Sequence, residues 1–346
     1  MSKVHHLSHI DLDGYGCQYL TSQNFSDITF YNANYGPEVQ ARLKEIITTI
    51  ENMQESDVLI LITDLNLTPK EAKWIERKAH NLGAEILLLD HHITGKQCAQ
   101  EHVWYILDTN FSATKLTYDW LKEKFAFDLE NNYEKLVDSI DAVDMWRSKH
   151  TLFEFGKVMM SMIAGAKEIG RVMFPKQEVN YMHYFVDESY RFIDEPQSHI
   201  ILDDNLYAIK KDFFLIDHTD TKDNLVARYI NALLSEHKES YTIYYKEYQG
   251  VLGYSIGSSS IIGNKFLVEN SDYNFYMDIN FRGQFSLRGN GTLDLSEVAQ
   301  IIGNGGGHPN ASGGKIEGLK DSFVYNDIKQ FVQGHIDQKI ISSLVL

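Results

Sequence analysis

The chain has 346 residues, which is too long for one ordinary hydrophobic core and predicts two domains. Its 32 Lys and Arg against 48 Asp and Glu give a net charge of −16, so long duplex nucleic acid is a poor candidate substrate. No apolar run approaches the ~18 residues of a membrane span, no signal peptide is recognisable, and two cysteines are too few for a disulfide framework, so we expect a cytoplasmic protein.

Apolar runs and amphipathic helices alternate over residues 1–150. A helix is expected from Pro37, because the apolar residues after it recur on one helical face. Another helix starts at the N-cap Thr68, with Glu71 completing a capping box, and ends at Gly83. The alternation predicts a doubly wound α/β domain with a mainly parallel sheet. Its other expected elements are the strands Val58–Ile62 and Glu85–Leu89 and the helices Ser112–Lys124 and Asn132–Val143.

Residues 151–223 are aromatic, acidic and helical in pattern, and we interpret them as a helical connector. Residues 224–346 are expected to form a smaller α/β domain with a mixed sheet. Its elements are a helix from Asn224 to Leu234, strands near Tyr241–Tyr245 and Gly250–Ile256, a hairpin Phe275–Arg288 that turns at Arg282-Gly283, and a helix from Leu295 to Ile302.

Acidic residues and histidines follow the apolar runs of the first domain. Such runs suit buried parallel strands, whose carboxyl ends meet at one edge of a sheet, where open α/β sheets bind ligands. Clustered carboxylates repel one another, so their combination with imidazoles indicates divalent cations and predicts a two-metal hydrolytic site. The motifs are His9-Ile10-Asp11-Leu12-Asp13-Gly14, Asp64, Asp90-His91-His92 and Asp141-Ala142-Val143-Asp144.

A glycine-rich run, Gly303–Gly314, lies in the second domain. Successive glycines let backbone N–H groups converge on an anion, which would make the run a phosphate cradle. A tight loop that merely uses glycine for positive φ angles is the structural alternative. His308 within the run and Arg288 at the end of the preceding strand favour phosphate.

Together these motifs resemble the DHH phosphoesterase superfamily with its DHH-associated C-terminal domain. The chain looks most similar to the branch that degrades nano-RNA and related short nucleotides. The resemblance implies a catalytic metal-binding domain over 1–150, a substrate-binding domain over 224–346, and a manganese-dependent site in a cleft between them. Two Mn²⁺ per chain are expected, with Co²⁺, Fe²⁺ or Mg²⁺ as other candidates.

Individual roles follow from the same resemblance. Asp64 would bridge the two ions, and a hydroxide shared by them would attack phosphorus. Asp90 would orient an imidazole, and His92 would meet the phosphate. Of two aspartates three residues apart, Asp144 is the preferred ligand and Asp141 the alternative. The implied metal ligands are His9, Asp11, Asp13, Asp64, His91 and Asp144, and the implied substrate-binding residues are Arg288, Gly305, Gly306, Gly307 and His308. His5 and His6 are expected to be structural or surface residues, and Cys17 a buried thiol.

The expected activity is hydrolysis of short oligonucleotides and linear dinucleotides such as pApA or pGpG to 5′-mononucleotides. A phosphatase acting on 3′-phosphoadenosine 5′-phosphate is the nearest alternative. A non-catalytic nucleotide sensor is the alternative from another class, although an unused carboxylate cluster is costly to keep. No membrane partner is expected, and the oligomeric state stays open, a homodimer included.

Overall fold

The computed structural model describes residues 3–127, 132–216 and 219–344, and the chain divides into two units. One unit comprises Met1–Ala166 and Val179–Ile209, and the other comprises Lys167–Glu178 and Lys210–Leu346. Each unit is built on its own sheet, and both are α/β, as the sequence predicts. Among the described helices, none combines the length and the apolar character that crossing a bilayer requires.

The first unit contains a five-stranded parallel sheet in the order β2-β1-β3-β4-β5, which confirms the predicted doubly wound domain. Its strands are β1 (Lys3–Ser8), β2 (Ile28–Asn32), β3 (Val58–Thr63), β4 (Glu85–Asp90) and β5 (Tyr105–Leu107). Its helices are α1 (Leu12–Asn24), α2 (Pro37–Met53), α3 (Pro69–Leu82), α4 (Lys96–Glu101), α5 (Ala113–Phe125), α6 (Glu134–Asp144) and α7 (Phe153–Ala164), and α8 (Pro175–Phe192) and α9 (Ser198–Phe213) continue the helical segment.

Local sequence signals explain these elements. All six residues of β3 are buried, as expected for a central parallel strand. The α3 capping box is present between Thr68 and Glu71, and Gly83 adopts a left-handed φ of 65° as its C-cap. The apolar face of α2 packs into the core of this unit through Val39, Leu43, Ile46, Ile47 and Ile50.

The second unit contains a six-stranded mixed sheet in the order β10-β11-β9-β8-β7-β6, in which only β7 and β8 pair in parallel. Its strands are β6 (Thr242–Tyr245), β7 (Tyr248–Tyr254), β8 (Phe275–Ile279), β9 (Gln284–Gly289), β10 (Gly306–His308) and β11 (Ala311–Lys315). Its helices are α10 (Lys222–Glu236), α11 (Lys238–Tyr241), α12 (Ser259–Glu269), α13 (Leu295–Gly303) and α14 (Tyr325–Leu344).

The glycine-rich run departs from the predicted loop, because it forms the hairpin β10–β11 at the edge of this sheet. A Cβ at Gly305 would lie 2.0 Å from the Gly313 carbonyl oxygen, and one at Gly307 would lie 2.6 Å from that of Ala311. Gly307 also has a φ of 144°. Glycine is therefore needed for close approach of two backbones, and the run lacks the β-branched residues by which a strand is recognised.

Helix α12 was not expected from the sequence either. Gly263 interrupts its apolar run, and a Cβ there would lie 2.5 Å from the Tyr276 ring. The small residue lets the helix pack directly on β8. Close packing, which no local pattern reveals, accounts for this glycine.

We predict that Gly305→Ala destabilises the protein and that Gly306→Ala does not. The methyl group that alanine adds at position 305 would overlap a backbone oxygen, which costs about 1–3 kcal/mol. Among the described residues, no atom beyond the chain neighbours of Gly306 lies within 4 Å of a Cβ added there. Thermal unfolding of the two variants measures the difference. Equal melting temperatures would contradict this account of the hairpin.

Candidate metal centre

The first motif lies at the carboxyl end of β1, where the chain turns into α1. Asp11 is the N-cap of α1, and its carboxylate accepts a hydrogen bond from the Gly14 N–H at 3.0 Å. His9 Nδ1 lies 2.8 Å from Asp11 Oδ2. A Cβ at Gly14 would lie 2.3 Å from the His9 carbonyl oxygen, so this turn requires glycine. The backbone geometry holds His9 and Asp11 side by side.

Asp13, in the first turn of α1, contacts the beginning of α5. Its buried carboxylate accepts the backbone N–H groups of Ala113 at 2.7 Å and Thr114 at 2.8 Å. The N-terminal amides of a helix carry partial positive charge, which stabilises an anion. Burial nevertheless raises the pKa of Asp13, so ionising it still has a desolvation cost.

Asp64 follows the buried strand β3 and has a φ of 56°, in the left-handed region that few residues other than glycine adopt. Its backbone N–H donates to the Leu89 carbonyl at 3.1 Å, which fixes this turn against β4. Its Oδ1 lies 3.3 Å from His91 Nε2, and its Oδ2 lies 3.6 Å from His9 Nδ1. The two oxygens of one carboxylate thus face two different histidines.

The Asp90-His91-His92 motif ends β4. Asp90 Oδ1 accepts the backbone N–H of His91 at 2.9 Å and lies 2.7 Å from His92 Nδ1. Asp90 therefore orients the imidazole of His92, and His91 turns towards the carboxylates instead. His91 Nε2 lies 3.3 to 3.7 Å from oxygens of Asp13, Asp64 and Asp144.

Asp141 and Asp144 separate clearly at the end of α6. Asp144 Oδ2 lies 3.6 Å from His91 Nε2, and its side chain is 24% exposed. Asp141 instead accepts the backbone N–H of Ser112 at 2.8 Å and forms an ion pair with Arg147. Asp144 therefore lies with the other candidate ligands, whereas Asp141 braces the start of α5.

Within the described residues, three overlapping groups of His and Asp side chains could hold a metal ion, because the ligand atoms of each group all lie within 4.8 Å of one another. Every residue that the resemblance implies as a metal ligand belongs to one of them. The groups are His9, Asp11 and Asp64; Asp13, His91 and Asp144; and Asp64, His91 and His92.

The electrostatics of these residues fit a bound cation. Burial and the neighbouring Asp13 and Asp11 raise the pKa of Asp64 well above its usual range. Burial, again with Asp13, raises the pKa of Asp144 to about 9. The buried Oδ2 of Asp64 has no hydrogen-bond partner within the described part of the chain. Positive charge beside this oxygen would satisfy it and relieve the repulsion.

Two buried histidines and a cysteine lie beneath this edge. His5 contacts the Tyr31 hydroxyl and Glu55, and His6 Nε2 lies 2.8 Å from the Thr63 hydroxyl. Both histidines are fully buried, so they are structural rather than surface residues. Cys17 is also fully buried, as expected. The contact of His6 with Thr63 links β1 to β3, which helps to position the residues that follow both strands.

The implied substrate-binding residues lie together in the second unit. Arg288 of β9 pairs with Ala311 of β11, which pairs with His308 of β10, so Arg288 and His308 share one face of the sheet. Arg288 donates to the Leu287 carbonyl at 2.6 Å and contacts the Ser260 hydroxyl at the start of α12. Gly305, Gly306 and Gly307 are adjacent to His308 in the chain, and the exposed strand β10 includes the last two of them.

Two tyrosines at the site were missed by the sequence reasoning. The Tyr105 hydroxyl donates to Asp90 Oδ2 at 2.5 Å, and the Tyr35 hydroxyl lies 2.9 Å from His92 Nε2. No local pattern distinguishes Tyr105 from other strand tyrosines. Tyr35 lies in the segment Asn34-Tyr35-Gly36-Pro37, and its turn residues signal only the loop before α2.

The chain is 42% identical over 342 residues to a 3′,5′-cyclic-nucleotide phosphodiesterase from Helicobacter pylori (strain ATCC 700392 / 26695), covering 96% of this chain and 98% of that protein. The chain belongs to this phosphodiesterase family. It is a phosphoric diester hydrolase. The crystal structure of an uncharacterized protein from Helicobacter pylori G27 is also 42% identical, has a TM-score of 0.89, and covers 98% of this chain and 100% of that one. No protein-family model matches the chain.

We predict that the metal-free phosphodiesterase becomes less stable as pH rises from 5 to 9. The pKa of Asp144 is about 9 when folded against an ordinary 3.8, so folding retains a proton that the unfolded chain releases. His9 acts in the same direction, because its contacts with Asp11 and Asp64 outweigh burial and raise its pKa to about 10. A group whose pKa is raised by folding stabilises the folded state while it holds its proton. That stabilisation is lost as the pH rises towards the folded pKa. Melting temperatures across this range test the sign.

The matched control is Asp144→Asn, which should flatten the pH dependence. Added Mn²⁺ should raise the wild-type melting temperature more at pH 9 than at pH 5, because cations and protons compete for the same atoms. A wild-type melting temperature that holds steady or rises towards pH 9 without metal would refute this electrostatic account.

Proposed function

We propose that the chain is a divalent-cation-dependent phosphodiesterase that hydrolyses small nucleotide phosphodiesters, with 3′,5′-cyclic nucleotides as its first substrate class. The observation that carries this proposal is the Asp64 carboxylate, whose two oxygens face His91 and His9 in separate ligand groups. The likeness to a 3′,5′-cyclic-nucleotide phosphodiesterase from Helicobacter pylori supports the cyclic substrate.

The ligands proposed for two Mn²⁺ are those of the DHH resemblance. His9, Asp11 and Asp64 would hold one cation, and Asp13, His91 and Asp144 would hold the other, to which Asp64 would also contribute. Divalent cations bound there would polarise the phosphoryl group and lower the pKa of a water molecule. Asp90 accepts a hydrogen bond from Nδ1–H of His92 at 2.7 Å, which favours the tautomer of neutral His92 that is protonated on Nδ1.

Substrate size follows from charge. A cyclic mononucleotide carries one phosphate, so it meets less repulsion from a chain of net charge −16 than a polynucleotide does. Short oligonucleotides and linear dinucleotides that yield 5′-mononucleotides form the second candidate class, supported by the nano-RNA resemblance. 3′-Phosphoadenosine 5′-phosphate presents only monoesters, so the likeness to a phosphodiesterase gives this substrate no support. A binding-only sensor is disfavoured because the chain belongs to a phosphodiesterase family.

The metal assignment predicts opposite results for two aspartates on α6. Asp144→Asn should lower metal content and reduce turnover of cyclic AMP by at least tenfold, because the carboxylate lies against His91. Asp141→Asn is the control, since its partners are Ser112 and Arg147, and it should keep its metal content although its melting temperature falls. Metal analysis and steady-state kinetics on both variants provide the measurement.

Asp64→Ala belongs in the same experiment. It should abolish turnover while the fold survives, because, among the described carboxylates, Asp64 alone belongs to two of the ligand groups. Wild-type protein loaded with Mn²⁺ is assayed with cyclic AMP, cyclic GMP, pApA, pGpG and 3′-phosphoadenosine 5′-phosphate in parallel. Activity of Asp64→Ala near the wild-type level would disprove the two-cation assignment.

Arg288 and His308 are proposed to bind a phosphate or terminal nucleotide of the substrate. Their common face and their charge support this role. Arg288→Ala and His308→Ala should each weaken kcat/KM for linear dinucleotides by roughly 2–4 kcal/mol, the scale of a lost charge-assisted contact. Bis(p-nitrophenyl) phosphate, which lacks a nucleoside, should be hydrolysed at a nearly unchanged rate.

Ser260→Ala is the structural control for Arg288, because it removes the hydroxyl that the guanidinium contacts. If Arg288 only braces α12, Arg288→Ala and Ser260→Ala should lower the melting temperature similarly and affect both substrates equally. That pattern would remove Arg288 from the proposed substrate-binding set.

A further inference from the structure

Tyr35 lies on a braced loop between β2 and α2. The backbone N–H of Tyr35 donates to the Asn34 side chain at 2.8 Å, and the Asn34 N–H donates to Glu38 Oε2 at 2.9 Å. Glu38 is buried in the first turn of α2. Gly36 precedes that helix with a φ of 88°. The loop therefore presents Tyr35 from a defined backbone position.

The Tyr35 side chain contacts two histidines of the candidate metal centre. Its ring centroid lies 4.5 Å from that of His9, and its hydroxyl lies 2.9 Å from His92 Nε2. Since Nδ1–H of neutral His92 donates a hydrogen bond to the Asp90 carboxylate, Nε2 is an acceptor and the phenol is the donor. A chain of hydrogen bonds thus runs from Tyr35 through His92 to Asp90.

Of the two tyrosines that join this chain of hydrogen bonds, Tyr35 is exposed and Tyr105 is buried. The relative accessibility of Tyr35 is 41%, against 3% for Tyr105, which donates to the far side of Asp90. The phenol hydroxyl of Tyr35 can donate a hydrogen bond without carrying a charge. An accessible hydroxyl group can donate a hydrogen bond to an anionic ligand. The nearby carboxylates, in contrast, repel such a ligand.

We propose that Tyr35 is a substrate-contacting residue, whose hydroxyl transfers its hydrogen bond from His92 to an oxygen of the bound phosphodiester. The proposal rests on the proposed function, because it assumes that the phosphodiester binds at this cluster. The hydrogen bond to His92 directs the hydroxyl towards the cluster before substrate arrives. Packing of the ring against His9 limits its rotation, which reduces the entropy lost on binding.

Tyr35→Phe tests this contact, because it keeps the ring and removes only the hydroxyl. We expect kcat/KM for cyclic AMP to fall about 10- to 100-fold, the range for a hydrogen bond to a charged group. Competitive inhibition by 5′-adenosine monophosphate should weaken about tenfold or more. Metal content and melting temperature should stay at wild-type values.

Tyr105→Phe is the matched control. It removes the other phenolic hydrogen bond to the Asp90–His92 pair, yet Tyr105 is too buried to touch a substrate. Inhibition by 5′-adenosine monophosphate should stay at the wild-type level in this variant. If both variants weaken that inhibition equally, Tyr35 acts only through His92 and the proposed contact is wrong.

The remaining outcomes distinguish a failure of the proposed function from a failure of the Tyr35 contact alone. Wild-type protein that hydrolyses neither cyclic AMP nor pApA overturns the proposed function, and the Tyr35 contact with it. An active wild type together with Tyr35→Phe kinetics and inhibition within twofold of it overturns the Tyr35 contact alone. A loss of metal from Tyr35→Phe would also overturn it, because the effect would then come through His9.

Discussion

Repulsion among buried carboxylates is the constraint on which the first unit depends. Asp13 and Asp64 are almost completely buried, and Asp144 lies against them through His91. Ionising each of them costs desolvation and adds repulsion, which is why the pKa values of all three are raised. An arrangement that is unfavourable for an empty protein becomes favourable when positive charge is bound. The site therefore trades stability for the capacity to hold cations.

The fold limits this cost with backbone groups. The backbone amides at the start of α5 donate hydrogen bonds to Asp13, and the Gly14 amide of α1 donates one to Asp11. Asp64 has a left-handed φ because its N–H is fixed against β4, which aims one carboxylate at two histidines. Each of these supports comes from a neighbouring element that is itself held by the buried sheet. Rigid strands and helix ends thus position the side chains more accurately than a mobile loop would.

The second unit solves a different problem. Its hairpin β10–β11 brings two backbones close enough that Gly305 and Gly307 tolerate no side chain. This packing accounts for those two glycines without any ligand, whereas Gly306 has open space around it. A glycine-rich run can therefore carry a structural requirement at some positions and leave others free for function. Arg288 and His308 lie on one face of this sheet, and the close approach of the two backbones does not account for their polar side chains.

The sequence alone determined the α/β class, the capped helices of the first unit and the gathering of acidic motifs at one edge. These follow from short-range signals, because apolar periodicity, Thr68 with Glu71, and Gly83 act within a few residues. Tertiary structure decided that Asp144 rather than Asp141 lies beside His91, that Asp90 orients His92, and that Tyr35 contacts both His9 and His92. Such pairings join residues far apart in the chain, and their distances depend on how whole elements pack, which no local pattern encodes.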